Sequence, residues 1–307
     1  MRALARPLRQ NARMTELPRL LPQPIPAIHP LAEYAVEGQR KALYEDMKHT
    51  LQVPWMGVVT MAYAHYPNFF DTLWQGLKPL AQSAVFVEQA RALRRFTEDA
   101  VAALAPPPLR TRLQTLGYAP RELAQVDEAI EVFSHGNFPY LLIATLTRFL
   151  LEGGRMQGSS DAQPFIRPAA THANVPLVLM EPHHADASTR ALYEDLKATL
   201  GLPFVNTDYR ALARWPSYFA LAWGDLRPVL RSAAHEAVCT AVHAQALQAV
   251  RHILPNPGSL DSTRLLEAAA RDAPAAEVLQ MSRLFQWLLP GLVTNVAFFR
   301  QQLIPST

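Results

Sequence analysis

Asp208 is the residue in this chain best placed to do chemistry. It lies in Leu202-Pro203-Phe204-Val205-Asn206-Thr207-Asp208-Tyr209-Arg210, where Pro203 marks the approach to a helix start. At 3.6 residues per turn, positions 205, 208, 209 and 212 share one face, and apart from Asp208 that face is apolar or aromatic. A carboxylate on a face built for burial needs a hydrogen-bond partner, or its pKa climbs. A second polar cluster, Ser134-His135-Gly136-Asn137-Phe138-Pro139-Tyr140, interrupts a long apolar run. Asn137 and Tyr140 are three apart and point the same way on a helix. An amide donates and accepts at once, which is what holding a water requires. A carboxylate to take a proton and an amide to aim the water are parts of a water-activating site. Plainer readings stand beside this one. Asp208 can pair with Arg210 or Arg214 or cap its helix, and the Asn137 cluster can satisfy a kink at Pro139.

The element carrying Asp208 occurs twice. Residues 43–80 and 192–229 align without a gap at an offset of 149, with 15 of 38 positions identical, so the chain reads as two copies of one helical unit. The mismatches carry the chemistry. Asp208 falls opposite Val59, and the Asn137 cluster falls opposite Leu288-Leu289-Pro290-Gly291. Helical periodicity is clear at 84–104, 231–253, 121–151 and 274–303, while strand-type alternation is nearly absent. Twenty-six prolines against 12 glycines punctuate the runs, and those between the runs, such as Pro54, Pro67, Pro79, Pro203 and Pro216, read as starting or separating a helix. The expected fold is therefore all-α: two tandem repeats, with five or six helices each, forming an intrachain pseudo-dimer whose halves enclose the site. The expected divisions are a flexible tail over 1–25, a first repeat over 26–151, a linker over 152–174 and a second repeat over 175–307. Residues 175–180 are at most an extended segment.

Composition excludes several classes. Half of the residues are hydrophobic and 18% are charged, which describes a folded chain. The net charge of +3 is mild and its arginines are scattered, so nucleic acid is not an expected partner. No apolar run is long enough to span a bilayer, no secretory h-region follows the arginine-rich start, and a lone cysteine, Cys239, fits a reducing cytoplasm. His235, Cys239 and His243 share a helix face, but three ligands strung along it cannot converge on one zinc ion, so no metal is expected. His183-His184 reads as a solvated loop pair. HExxH, GxSxG and a phosphate loop are all missing.

At these residues the chain resembles the group I (DL-) 2-haloacid dehalogenases. The likeness spans about residues 30–304 and rests on the tandem repeat, the all-α pattern, Thr207-Asp208 and Asn137 with Tyr140. It implies a hydrolase without cofactor or metal, acting on short 2-haloalkanoic acids of both configurations. In such an enzyme an aspartate activates water, the water attacks C2 directly, and configuration inverts. By that resemblance Asp208 and Asn137 are catalytic, and Tyr140, Thr207, Thr60, Tyr63, Phe285, Leu288 and Leu289 bind substrate. The substrate carboxylate is expected at a helix N-terminus, and a homodimer is implied. Two other readings keep these residues: a hydrolase of another small 2-substituted acid, and a helical ligand-binding module without turnover.

Overall fold

The proline-punctuated runs fold as twelve helices in the computed structural model, which describes residues 17–166 and 177–304. The first six are α1 (Gly38–Leu51), α2 (Val58–Tyr63), α3 (Pro67–Ala81), α4 (Ala84–Ala102), α5 (Arg110–Thr115) and α6 (Pro120–Leu151). The next six are α7 (Ala187–Leu200), α8 (Thr207–Leu212), α9 (Pro216–Leu226), α10 (Ala233–Gln248), α11 (Ser262–Asp272) and α12 (Ala275–Gln302). Among the described residues there is no strand, only an isolated bridge between Ser83 and Pro164.

The starts of α1, α2, α3 and α4 recur 149 positions later as the starts of α7, α8, α9 and α10. Their supporting bonds recur at the same offset. The Tyr44 hydroxyl donates to Leu31 O at 2.9 Å, as Tyr193 does to Met180 O at 2.7 Å. The Trp74 indole donates to Asp46 at 2.9 Å, as Trp223 does to Asp195 at 2.8 Å. Lys78 and Arg227 pair with those same two carboxylates, each at 2.8 Å. Ser83 and Ser232 cap α4 and α10, accepting from Phe86 N and His235 N. The chain therefore leaves and enters these helices with matched geometry.

The centre is α6 against α12. Residues 136–151 of α6 are all buried, so the C-terminal half of this helix is packed on every side. Here the proline rule needs correcting. Pro67, Pro120 and Pro216 do open helices, but Pro79, Pro139 and Pro290 lie inside α3, α6 and α12. An internal proline forfeits one backbone bond, and α6 stays helical through Pro139 because packing along its whole length holds it. The expected helix over 231–253 also differs. It begins as α10 at Ala233, after a short 3-10 turn at Val229–Arg231, and widens into a π turn at Ala249–Ile253.

Within the segment 1–25, the described part is tied down. Leu17 is buried, its carbonyl accepts from His243 Nε2 at 2.7 Å, and Arg148 donates to Pro18 O at 3.0 Å. Within the linker, Gln163 O accepts from Ala84 N and Phe165 N donates to Gln82 O, which pins it to the α3–α4 corner. Residues 167–174 of that linker, and 175–176 of the extended segment, lie outside the described residues. Among the described residues no helix is long and apolar enough to cross a membrane.

One mismatch between the halves is energetic rather than chemical. α7 ends on Gly201 at φ 67°, whereas α1 ends on Gln52 at φ 57°. Left-handed backbone costs a side-chain-bearing residue about 1–2 kcal/mol, and glycine adopts it freely. Gln52→Gly is therefore expected to raise the urea midpoint, by roughly 1 kcal/mol of stability at constant m-value. A lowered midpoint would show that the glutamine side chain contributes more than its backbone strain costs.

Candidate active site

α8 presents Asp208 inward from its first turn, and Asp208 is 3% exposed. Its carboxylate oxygen accepts from Asn137 Nδ2 at 2.6 Å, a bond from the middle of α6 to the start of α8. The alternative pairings are taken up elsewhere. Arg210 makes two contacts to Glu181, at 2.7 and 2.9 Å, and Arg214 lies over the Trp215 ring. Burial pushes the Asp208 carboxyl up to about 6, against the opposing pull of the Asn137 amide, its own backbone N–H and the Arg210 charge. An elevated but still ionisable carboxylate is the form a general base takes.

Asp208 faces a cavity of about 20 Å³ lined by Trp55, Gly57, Val58, Val59, Asn137 and Tyr140 from one half. Asn206, Thr207, Asp208, Phe285, Leu288, Leu289 and Leu292 close it from the other. One water needs ~10–15 Å³, so this space accommodates a single water between acid, amide and apolar walls. A broader vestibule of about 770 Å³ shares Trp55, Val58 and Thr207 with it. Arg210, Arg190 and Lys197 line that vestibule together with Glu33, Glu181 and Glu194.

Of the residues singled out by sequence, Asp208, Asn137, Tyr140, Thr207, Phe285, Leu288 and Leu289 meet in this cavity. Tyr140 donates to Trp55 O at 2.7 Å, which ties α6 to the loop before α2. Thr60 and Tyr63 are not among its lining residues. Thr60 Oγ1 donates back to Gly57 O at 2.8 Å. Tyr63 packs its ring on Phe69 and turns its hydroxyl towards Ser282 and Thr147. Both are fully buried because α2 is only six residues long and wedged against α6 and α12. α8 is equally short, so neither helix supplies much of a dipole for a carboxylate. The three metal decoys have other partners. His235 Nε2 meets Asn295, His243 Nε2 meets Leu17 O, and Cys239 meets Thr294.

Sequence reasoning missed Gly57, Val58, Asn206 and Leu292 as wall residues. Gly57 is required by close approach, since a Cβ there would meet the Tyr140 ring at 2.9 Å. Gly136 admits Trp55 in the same way, at 2.3 Å. Asn206 stands at the position equivalent to Gly57. The mismatch test that found Asp208 would have found it too.

The family model described as Halocarboxylic acid dehydrogenase DehI matches residues 53–200. A Rhizobium sp. (strain NHG3) protein named (R)-2-haloacid dehalogenase is 48% identical over 260 residues, covering 84% of this chain and 100% of the relative. A Pseudomonas sp. (strain 113) protein named 2-haloacid dehalogenase, configuration-inverting, is 24% identical over 228 residues, covering 71% of this chain and 73% of its own. The solved complex of a D-2-haloacid dehalogenase mutant with D-2-CPA superposes with a TM-score of 0.83 at 33% identity, covering 90% of this chain and 96% of that one. The near-complete match to the Rhizobium protein joins the fold, and a buried acid facing a single-water cavity, to one group of proteins: the chain belongs to the 2-haloacid dehalogenase family.

Proposed function

We propose that the protein hydrolyses short (R)-2-haloalkanoic acids to 2-hydroxy acids by direct attack of a water activated at Asp208. The observation that carries this reading is the buried Asp208–Asn137 pair facing a cavity the size of one water. Asp208 removes one proton from that water as its oxygen bonds to C2. The carbon–halogen electron pair departs with the halide, configuration inverts, and Asp208 later returns its proton to solvent. Asn137 orients the water, and fixing a reactant in line supplies much of the acceleration. Phe285, Leu288, Leu289 and Leu292 keep other water out and offer the halogen an apolar wall. The substrate, larger than the 20 Å³ cavity, enters from the vestibule past Trp55, Val58 and Thr207. The (R) preference is narrower than the resemblance alone implied. It is supported by the name of the Rhizobium relative, and Asn206 puts a polar side chain on the wall where the equivalent position, Gly57, has none and is covered by the Tyr140 ring.

Asp208→Asn is expected to lower kcat by roughly 10²–10⁴-fold, the range for losing a general base. The same change should raise thermal stability at pH 8. The folded-state pKa of about 6 exceeds the unfolded value, so the folded form binds its proton more tightly. The stability this contributes is present in acid and lost as pH rises through about 6. The Tm advantage of the variant should thus vanish near the unfolded carboxyl pKa of about 4. A lower Tm at pH 8 would contradict a desolvated acid.

In the wild type, kcat/KM should rise with pH as one ionisation and level off above about 6. Asn137→Ala should move that limb to higher pH, because the amide favours the ionised acid. A limb unmoved by the substitution would detach Asn137 from Asp208 in solution. (R)-2-Chloropropionate should give (S)-lactate carrying one oxygen from labelled water under single turnover, with no label in the protein. Label in Asp208 would mean an ester intermediate. Release of no halide from either enantiomer would favour the binding-module reading. Asn206→Gly should narrow the gap in kcat/KM between the enantiomers, and an unchanged ratio would place the discrimination elsewhere.

A further inference from the structure

A second cavity, of about 140 Å³, lies behind the one that holds Asp208. The two share Asn206, Leu288 and Leu292, whereas the vestibule meets the small cavity at Trp55, Val58 and Thr207. The Asp208 cavity therefore has a large space on each of two different walls, and only one of them is needed to admit substrate.

The polar groups of the rear cavity are Arg19, Thr199, Tyr209, His235, Glu236 and Asn295, with Asn206 on the shared wall. Arg19 Nε donates to Trp287 O at 3.1 Å, and Nη1 donates to both Glu236 oxygens at 2.6 and 2.8 Å. Its guanidinium lies 5.6 Å from the Trp287 ring centroid. Nη2 makes no hydrogen bond among the described residues. It stands over Gly291, where an added Cβ would lie 3.5 Å away. Asn295 joins the other two groups, its Oδ1 2.9 Å from His235 Nε2 and its Nδ2 donating to the Tyr209 hydroxyl at 2.9 Å. Asn295 Oδ1 can only accept, so His235 Nε2 donates to it, and burial lowers the His235 pKa. With the Tyr209 oxygen already accepting, its hydrogen is left to donate. The cavity thus offers donor hydrogens from Arg19 and from Tyr209, beside the acceptor oxygens of Glu236 and Asn206.

We propose that this rear cavity receives the halide released at Asp208 and holds it against Arg19 Nη2 and the Tyr209 hydroxyl as it leaves. The ion arrives with the electron pair of the broken carbon–halogen bond, and no further bond is made or broken there. A monatomic anion suits the site, because it accepts from scattered donors without demanding a fork geometry. Glu236 competes for the same guanidinium, which keeps the affinity low enough for a product to depart. The source of the ion rests on the dehalogenation reading, whereas the binding of halide does not.

Bromide titration of the intact protein without substrate, followed by tryptophan fluorescence, tests the site directly. Saturable quenching is expected, and it should disappear in Trp287→Phe. Arg19→Gln should weaken bromide about tenfold, as expected when a charge-assisted bond is lost. Gly291→Ala should weaken it as well, by setting a methyl beside Nη2 without removing charge. Glu236→Gln should tighten it, by freeing the guanidinium, and the 59% exposure of Glu236 makes that change mild for the fold. Bromide inhibition of halide release from (R)-2-chloropropionate should follow the same order. Linear, non-saturable quenching in the wild type would overturn the proposal. So would Arg19→Gln and Glu236→Gln shifting affinity in the same direction, the result if their ion pair only supports the fold. Tight bromide with no halide release from either haloacid enantiomer would sink the dehalogenation reading, and with it the halide's assigned source.

Discussion

The 2.6 Å hydrogen bond from Asn137 to Asp208 is the contact on which the rest of the molecule depends. It crosses from α6 to α8, and so from the first half of the chain to the second. Removing the carboxylate from water raises its pKa, and the amide recovers part of that cost. The balance leaves an acid that ionises near neutrality and is a stronger base than a solvated aspartate. Both effects require the two helices to stay in register, because hydrogen-bond contact between the two side chains exists only in that register.

That register is set by layers away from the site. α6 and α12 pack along their lengths, and the short helices α2 and α8 are wedged beside them. Paired anchors at matching offsets, Trp74 with Asp46 and Trp223 with Asp195, tie α3 to α1 and α9 to α7. On the α2 side, Glu33 accepts from Met56 N at 2.7 Å and Tyr140 donates to Trp55 O. The loop carrying Trp55 and Gly57 is thus held from two directions. A preorganised wall matters because direct displacement tolerates little misalignment.

The matched segments differ where the cavity lies. At the 149-residue offset Gly57 aligns with Asn206 and Val59 with Asp208. α6 carries the amide and the phenol, and α8 carries the acid. Such a division lets burial and polarity be tuned separately, since each polar group projects from a helix whose remaining face is core. The family's activity label enters only through relatives. The local physics of acid, amide and apolar wall stands without it.

Much of this was legible in the sequence because it is written in local terms. Helical period, the 149-residue offset and the lone carboxylate on an apolar face placed α4, α6, α10 and α12 within a few residues and pointed to Asp208, Asn137 and Tyr140. Only the tertiary structure decided which faces meet. Thr60 and Tyr63 share a helix with Val59 yet turn to Gly57 O, Phe69 and Ser282, where α2 packs among α3, α6 and α12. The cavity behind Asn206 was invisible for the same reason. Periodicity says which residues are buried, but the choice of partner depends on contacts between segments distant in sequence, and those exist only once the chain has folded.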